Sequence, residues 1–286
     1  MSKTKLIFDI DGVLIDTRRS YRWAIKKTAE HFLNRTVPIA DVDAIKTEEG
    51  MNNDWVATHA LINAYPSAVP ASSPSTGSAH RLTRRNMTLP LNKGESSEGG
   101  RGFDAVKQVF QDIYLGTSVA KGLRWKETSI FSPADLRKLS KRYGTFSIIT
   151  GRTLEEAEFV LDRFGLRPFF DQIVSVEDTN PNDLPLAKGE WPKCRGGIDK
   201  SNPILFAQIR DIESFQKIIY IGDNVSDILL GRNGKTTLPV TMVLFTPIAT
   251  RDERKILYQK ADKYQPDQRF EHKEALMKWL NSDSSD

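Results

Sequence analysis

Two aspartates one residue apart, Asp9 and Asp11, stand directly after an apolar run (Leu6, Ile7, Phe8) and directly before Gly12. Like charges this close raise a pKa or demand a cation between them. The stretch FSIITGR places Thr150 and Gly151 at the end of a second apolar run, and KIIYIGDNVSD places Asp223 and Asp227 after a third. Lys200, in DKSNP, stands just ahead of a helix start. Carboxylates gathered without His or Cys suit a hard, oxygen-preferring cation, and Mg2+ is the commonest choice. A hydroxyl (Thr150), a Gly amide (Gly151) and an ammonium (Lys200) suit the non-bridging oxygens of a phosphoryl group, where charge must be stabilised in transfer. One aspartate can attack phosphorus, and another can protonate the leaving oxygen and later activate water.

Those groups must be delivered by regular elements. TKLIFDI is short, apolar and bounded by turn residues, which predicts a buried strand. SYRWAIKKTAEHFL carries Tyr21, Ile25, Thr28 and Phe32 at helical spacing. ADVDAIKTEEG predicts a short helix from Asp41 to Gly50, and NNDWVATHALINAY another, capped by Asn53 or Asp54. FDAVKQVFQDIY adds a stripe of Phe103, Val106, Phe110 and Ile113; Trp23 and Trp55 are expected in the core of this helical part. Residues 66–102, rich in Pro, Ser and Gly, are expected to be a mobile insertion with no core of their own.

From about Lys126 helices and strands alternate. Ser132, Pro133 and Gly144 bracket one helix, and Thr153 with Glu156 opens the next in capping-box spacing. TFSIITG, DQIVSVED, KIIYIGD and LPVTMVLF read as strands; NPILFAQIRDI and VSDILLGRNG read as helices. Strands alternating with helices predict an α/β core with a parallel sheet covered on both faces. That core takes residues 1–17 and 126–286, and a helical domain, 18–125, is inserted after the first strand. In an open α/β sheet ligands bind beyond the carboxyl ends of the strands, near a switch in strand order. The residues named above fall there.

FDIDGVLIDT, SIITGR, DKSNP and IGDNVSD, in this order and each in its strand or helix context, resemble the four motifs of the haloacid dehalogenase superfamily. The order resembles subfamily I, with a helical cap between motifs one and two, and the match spans nearly the whole chain. The resemblance implies a Rossmann-like three-layer core, with Asp9 as nucleophile and Asp11 as general acid and base. It also implies phosphate binding by Thr150, Gly151 and Lys200. A Mg2+ ion would be held by Asp9, the backbone carbonyl of Asp11 and Asp223, with Asp227 next to it or acting through water. The third motif is often lysine followed directly by proline; here Ser201 and Asn202 intervene, and Lys188 and Lys193 are competitors for the role of Lys200. SYRWAIKKTAEHF with GMNNDW also resembles a branch of subfamily I whose relatives are sometimes linked with histidine-biosynthesis enzymes.

The expected function is a Mg2+-dependent phosphatase acting on the phosphate monoester of a small metabolite through an aspartyl-phosphate. The alternatives are a phosphomutase of the β-phosphoglucomutase type and a catalytically silent binding module on the same fold. The core can grip only the phosphoryl group that all substrates share, so substrate choice is expected from the cap, with Lys46, Asn52 and Asn53 near the leaving group. The whole chain has 286 residues, 39% hydrophobic and 27% charged, with a net charge of +4. Basic residues are scattered among nearly as many acids, which is no footprint of a nucleic-acid binder. No apolar run approaches a membrane span. The stretch before Leu6 lacks a signal-peptide apolar core, and a single cysteine, Cys194, leaves no internal disulfide to form. A cytoplasmic protein is expected.

Overall fold

In TKLIF, side chains alternate between two faces, and both faces are buried: Leu6 and Phe8 join one apolar cluster while Ile7 joins another. A strand with period-two side chains and no solvent side needs cover above and below, and the rest of the chain supplies it. The structure is a computed structural model that describes residues 3–46, 51, 53–65, 102–176 and 200–282.

In chain order the elements are β1 (Thr4–Phe8), β2 (Ile15–Asp16), α1 (Tyr21–Leu33), α2 (Ile39–Lys46), α3 (Asp54–Ala64) and α4 (Phe103–Leu115). Then come β3 (Gly116–Thr117), β4 (Ala120–Lys121), β5 (Thr128–Ser129), α5 (Pro133–Tyr143), β6 (Phe146–Thr150), α6 (Leu154–Arg163) and β7 (Phe170–Ser175). The last are α7 (Ile204–Ala207), β8 (Lys217–Gly222), α8 (Val225–Gly234), β9 (Val240–Phe245), α9 (Arg251–Tyr264), β10 (Gln268–Phe270) and α10 (Lys273–Ser282). They form two compact units, Met1–Asp16 with Thr128–Asp286, and Thr17–Glu127.

The first unit is built on a six-stranded sheet in the order β10-β9-β8-β1-β6-β7, with every pair parallel. Leu6, Phe8, Ile148, Ile221 and Phe245 pack on one face with Leu136 and Leu139 of α5, Val160 of α6 and Leu280 of α10. Ile7, Ile149, Tyr220 and Leu244 pack on the other with Phe206 of α7, Ile228 of α8 and Ala261 of α9. This is the three-layer α/β arrangement expected. Beyond LPVTMVLF the sequence predicts no further element, and the structure adds α9, β10 and α10 there. The predicted helix over NPILFAQIRDI is shorter than expected: α7 ends at Ala207, and further along Asp211 takes a left-handed conformation (φ 55°) that no continuous helix could include.

The second unit has its own core: Ile25 and Ala29 of α1, Val42 and Ile45 of α2, Leu61 of α3, and Val106, Phe110 and Tyr114 of α4. Tyr21 stacks on Tyr114 with ring centroids 4.4 Å apart. Trp23, expected in that core, is 43% exposed, since helical spacing turns it away from the face that holds Ala24, Ile25 and Thr28. The expected insertion falls outside the described residues from position 66 to 101.

Far from the strand ends that matter for chemistry, Lys5 is buried and its Nζ sits 2.6 Å from Asp171 Oδ2. It also donates to the carbonyl of Thr145. Burial alone would raise the Asp171 carboxyl, but hydrogen bonds from Lys5, Thr145 and Ser147 outweigh it and hold it below its ordinary value. Asp171→Asn strands the Lys5 charge. We expect a loss of about 2 kcal/mol, less than for a fully buried pair because Asp171 is half open to water. A depressed carboxyl stabilises fully above its unfolded value, about pH 4, and the contribution fades as the pH falls below that. The gap in Tm between wild type and variant should therefore be present at neutral pH and narrow in acid. An equal Tm at neutral pH would show that Lys5 finds another partner.

Candidate active site

The strand order reverses at β1. The chain runs outward through β6 and β7, then returns to place β8 on the other side of β1. The carboxyl ends of β1 and β8 are thus neighbours at the switch point, where open α/β sheets bind ligands. Asp9 follows β1 and Asp223 follows β8.

Asp9 is buried, with its backbone N–H donating to Ile221 and its Oδ1 accepting the N–H of Ile10 at 2.7 Å. Lys200, held just before α7, reaches across to it: Nζ lies 2.7 Å from Asp9 Oδ2 and 2.8 Å from Asp227 Oδ1. Burial alone would lower the Lys200 ammonium, but Asp227 and Asp9 outweigh it and raise its pKa. The sequence left three lysines open for this place. Lys200 stands in it, while Lys188 and Lys193 lie outside the described residues.

Asp227, in the first turn of α8, is fully buried and accepts four hydrogen bonds. Oδ1 takes Tyr220 Oη (2.6 Å) and Lys200 Nζ; Oδ2 takes the backbone N–H groups of Asp223 (3.0 Å) and Asn224 (3.2 Å). Asn224 caps the same helix by accepting the N–H groups of Ser226 and Asp227, and its Nδ2 donates to Asp223 Oδ1 at 3.0 Å. The close approach of α8 to its strand requires glycine at 222, since a Cβ there would lie 2.3 Å from Asp227 Cβ.

Carboxylate oxygens of Asp9, Asp223 and Asp227 all lie within 4.8 Å of one another. Burial, then the charges of Asp227, Asp11 and Asp223, push the Asp9 carboxyl well up, against the pull of Lys200. Burial and the charge of Asp227 push Asp223 up to about 7, with Lys200 and Asn224 opposing. Buried acids so placed must take up protons or be matched by positive charge. Beside them, Gly12 adopts φ 73°, and a Cβ at that position would fall 1.8 Å from Asp223 Oδ2. A set of oxygen donors without nitrogen or sulfur, beside a turn that Gly12 keeps open, fits a hard divalent cation such as Mg2+. Asp9 and Asp223 are the carboxylates that could hold it, because each oxygen of Asp227 already has two partners whereas each oxygen of Asp9 has one.

Thr150 ends β6, buried, with Gly151 exposed after it. Asp11 lies two residues after Asp9, and its Oδ1 accepts both Nε (2.9 Å) and Nη2 (2.7 Å) of Arg152. Arg152, Tyr220 and Asn224 were not singled out in the sequence. Arg152 follows the Thr-Gly pair directly, which is the one signal that could have found it.

The expected specificity residues belong to the helical unit. Lys46 Nζ pairs with Asp54 at 2.8 Å, and Asn53 caps α3 by accepting the N–H groups of Trp55 (2.9 Å) and Val56 (3.1 Å). Asn52 lies outside the described residues.

A family model for haloacid dehalogenase-like hydrolases matches residues 6–234, taking in every residue of this site. The chain belongs to that family. Among solved structures, this haloacid dehalogenase-like hydrolase is similar to a phosphatase from Thermococcus thioreducens (22% identity, TM-score 0.56, 91% of this chain and 98% of that one). It is also similar to a haloacid dehalogenase-like family protein from Streptococcus pneumoniae (14%, TM-score 0.57, 98% of each chain). A third is described as a predicted phosphoglycolate phosphatase from Haemophilus somnus (14%, TM-score 0.56, 96% of each). At such identities the likeness is one of fold. In sequence, an imidazoleglycerol-phosphate dehydratase from Phytophthora nicotianae is 28% identical over 229 residues, 79% of this chain. The chain spans 40% of the length of that curated relative. No helix among the described residues is long and apolar enough to cross a membrane.

Proposed function

We propose that this haloacid dehalogenase-like hydrolase is a phosphatase for a small phosphate monoester, with Asp9 as nucleophile and Asp11 as general acid and base. The observation that carries the reading is the buried contact of Lys200 with Asp9 and Asp227, facing Asp223 at the switch point. An Asp9 oxygen forms a bond to phosphorus as the ester P–O bond breaks, and the leaving oxygen takes the proton carried by Asp11. Water then attacks the same phosphorus while Asp11 takes its proton. The bond to Asp9 breaks, returning the carboxylate and releasing inorganic phosphate.

Lys200 holds Asp9 in place and supplies fixed positive charge; Asp227 holds Lys200. Thr150 and the Gly151 amide are assigned to the non-bridging oxygens. A Mg2+ ion held by Asp9 and Asp223, with the backbone carbonyl of Asp11, would neutralise negative charge on the transferred group. On sequence grounds, choice among leaving groups is assigned to the helical unit, with Lys46, Asn52 and Asn53 as its candidates. The cytoplasmic location belongs to the same reading and rests on composition.

Release of inorganic phosphate from a panel of phosphate esters, assayed with Mg2+, tests the proposal. The panel should include phosphoglycolate, named for one structural neighbour, and an imidazole-bearing polyol phosphate, the class named in the longer relative. We expect phosphate release from at least one ester, with a kcat/KM at least about tenfold above the generic aryl ester. Transfer of the phosphoryl group to a second hydroxyl without phosphate release would favour the mutase alternative. Binding with no turnover of any ester would favour the silent module.

A further inference from the structure

Arg152 is among the largest side chains buried in the protein, with 1% of its side chain exposed against 34% for its partner Asp11. A guanidinium is costly to bury unless acceptors meet it. Arginine–carboxylate pairs frequently spread two parallel bonds over both carboxylate oxygens. Here Nε and Nη2 converge on one oxygen, Oδ1 of Asp11, and Oδ2 accepts no hydrogen bond among the described residues. The backbone of Arg152 is pinned as well. Its N–H donates to Thr150 Oγ1 at 3.2 Å, and its carbonyl accepts Ser175 Oγ from the end of β7. Arg152 is thus anchored to the ends of β6 and β7 and reaches into the turn after β1.

We infer that Arg152 is a positioning residue for the chemistry: it fixes the Asp11 carboxylate through Oδ1, so that Oδ2 is the atom left to exchange protons. The inference rests on the phosphatase reading, in which Asp11 gives a proton to the leaving oxygen and then takes one from water. A side chain on a two-residue-offset turn has several rotamers, and ordering one of them before substrate arrives removes that cost from both proton transfers. A guanidinium is suited to the task because its planar fork sets direction, which a lysine ammonium does not.

The leaving group separates this role from a structural one. An alkyl phosphate needs an acid to leave, whereas 2,4-dinitrophenyl phosphate does not; both need a base for the second step. Arg152→Met and Arg152→Lys should lower kcat on the alkyl ester by about 10²-fold, the lower range of general acid–base catalysis, with KM little changed. On the dinitrophenyl ester the first turnover should stay near the wild-type rate and later ones should slow, so that a burst of dinitrophenolate appears. Asp11→Asn should show the same burst more strongly, and added guanidinium should partly rescue Arg152→Met.

An equal loss on both esters in the first turnover, or a rise in KM matching the loss of kcat/KM, would overturn the inference and place Arg152 in phosphate binding. So would activity near wild type on the alkyl ester. Arg152→Lys and a Tm measurement guard against a variant that merely fails to fold. If Asp11→Asn gives no burst, or the wild type releases no phosphate, the phosphatase reading falls and the inference with it. A burst with Asp11→Asn but none with either Arg152 variant overturns the inference alone.

Discussion

Asp9→Asn should stop turnover and leave the fold in place. Asparagine keeps the shape that accepts the Ile10 N–H through Oδ1, and it removes a buried charge that burial and three neighbouring acids already oppose. The variant should therefore melt close to the wild type. Chemistry is another matter, because an amide oxygen cannot form the acyl-phosphate and the carboxylate facing Lys200 is gone. Removal of a nucleophile costs on the order of 10³-fold or more in kcat, about 4 kcal/mol of barrier. Phosphate release from the best ester of the panel measures it. Acid-quenched wild type, caught during turnover, should carry a phosphoryl group on the peptide that contains Asp9. A variant keeping more than about a tenth of the wild-type rate would rule out covalent catalysis by Asp9.

Removing divalent metal should silence the enzyme as completely. Asp9, Asp223 and Asp227 gather their oxygens within 4.8 Å, and one buried ammonium, Lys200, is shared between two of them. EDTA should abolish phosphate release, Mg2+ should restore it, and Ca2+ should restore it poorly because it takes more ligands at longer distances. A measurement independent of activity goes with this. Mg2+ at about a hundred times its Kd should stabilise the fold by about 2.7 kcal/mol, seen as a rise in Tm. Asp223→Asn should remove most of that rise, because Asp223 has an oxygen facing the Gly12 turn. Full activity in a metal-stripped sample, or a Tm that Mg2+ does not move, would count against the site.

The strands of the core could be read because each is a short apolar run that stops abruptly at Asp, Gly or Thr. Leu6 to Asp9 and Ile218 to Asp223 both show that pattern, and both end at the site. Helices α5 and α6 were visible through their caps, Ser132 and Thr153. Strand β10 was not, since Gln268, Arg269 and Phe270 form three edge residues with no apolar run. The site residues that sequence missed share one cause. An arginine after a strand end reads as a solvated surface group, and a tyrosine in a buried strand reads as packing. Only the fold brings Arg152 against Asp11 and the Tyr220 hydroxyl against Asp227. Trp23 failed the other way: an aromatic residue on an amphipathic helix reads as core, and one position of helical phase puts it outside.

The small ladder between β2 and β5 has a consequence for how such an enzyme can change. Ile15 pairs with Ser129 and Asp16 with Thr128, antiparallel, at the two points where the chain leaves the core unit and comes back. Paired strands hold their Cα atoms about 5 Å apart, so everything from Thr17 to Glu127 is an excursion that starts and ends at nearly the same place. Lengthening such a loop costs little, about 0.6 kcal/mol for each doubling. A different insert of unrelated size could be spliced between Asp16 and Thr128 without disturbing the register of β1, β6 or β8. The core unit and the inserted unit are thus free to diverge at separate rates, with the strand register that sets Asp9 beside Asp223 inherited whole.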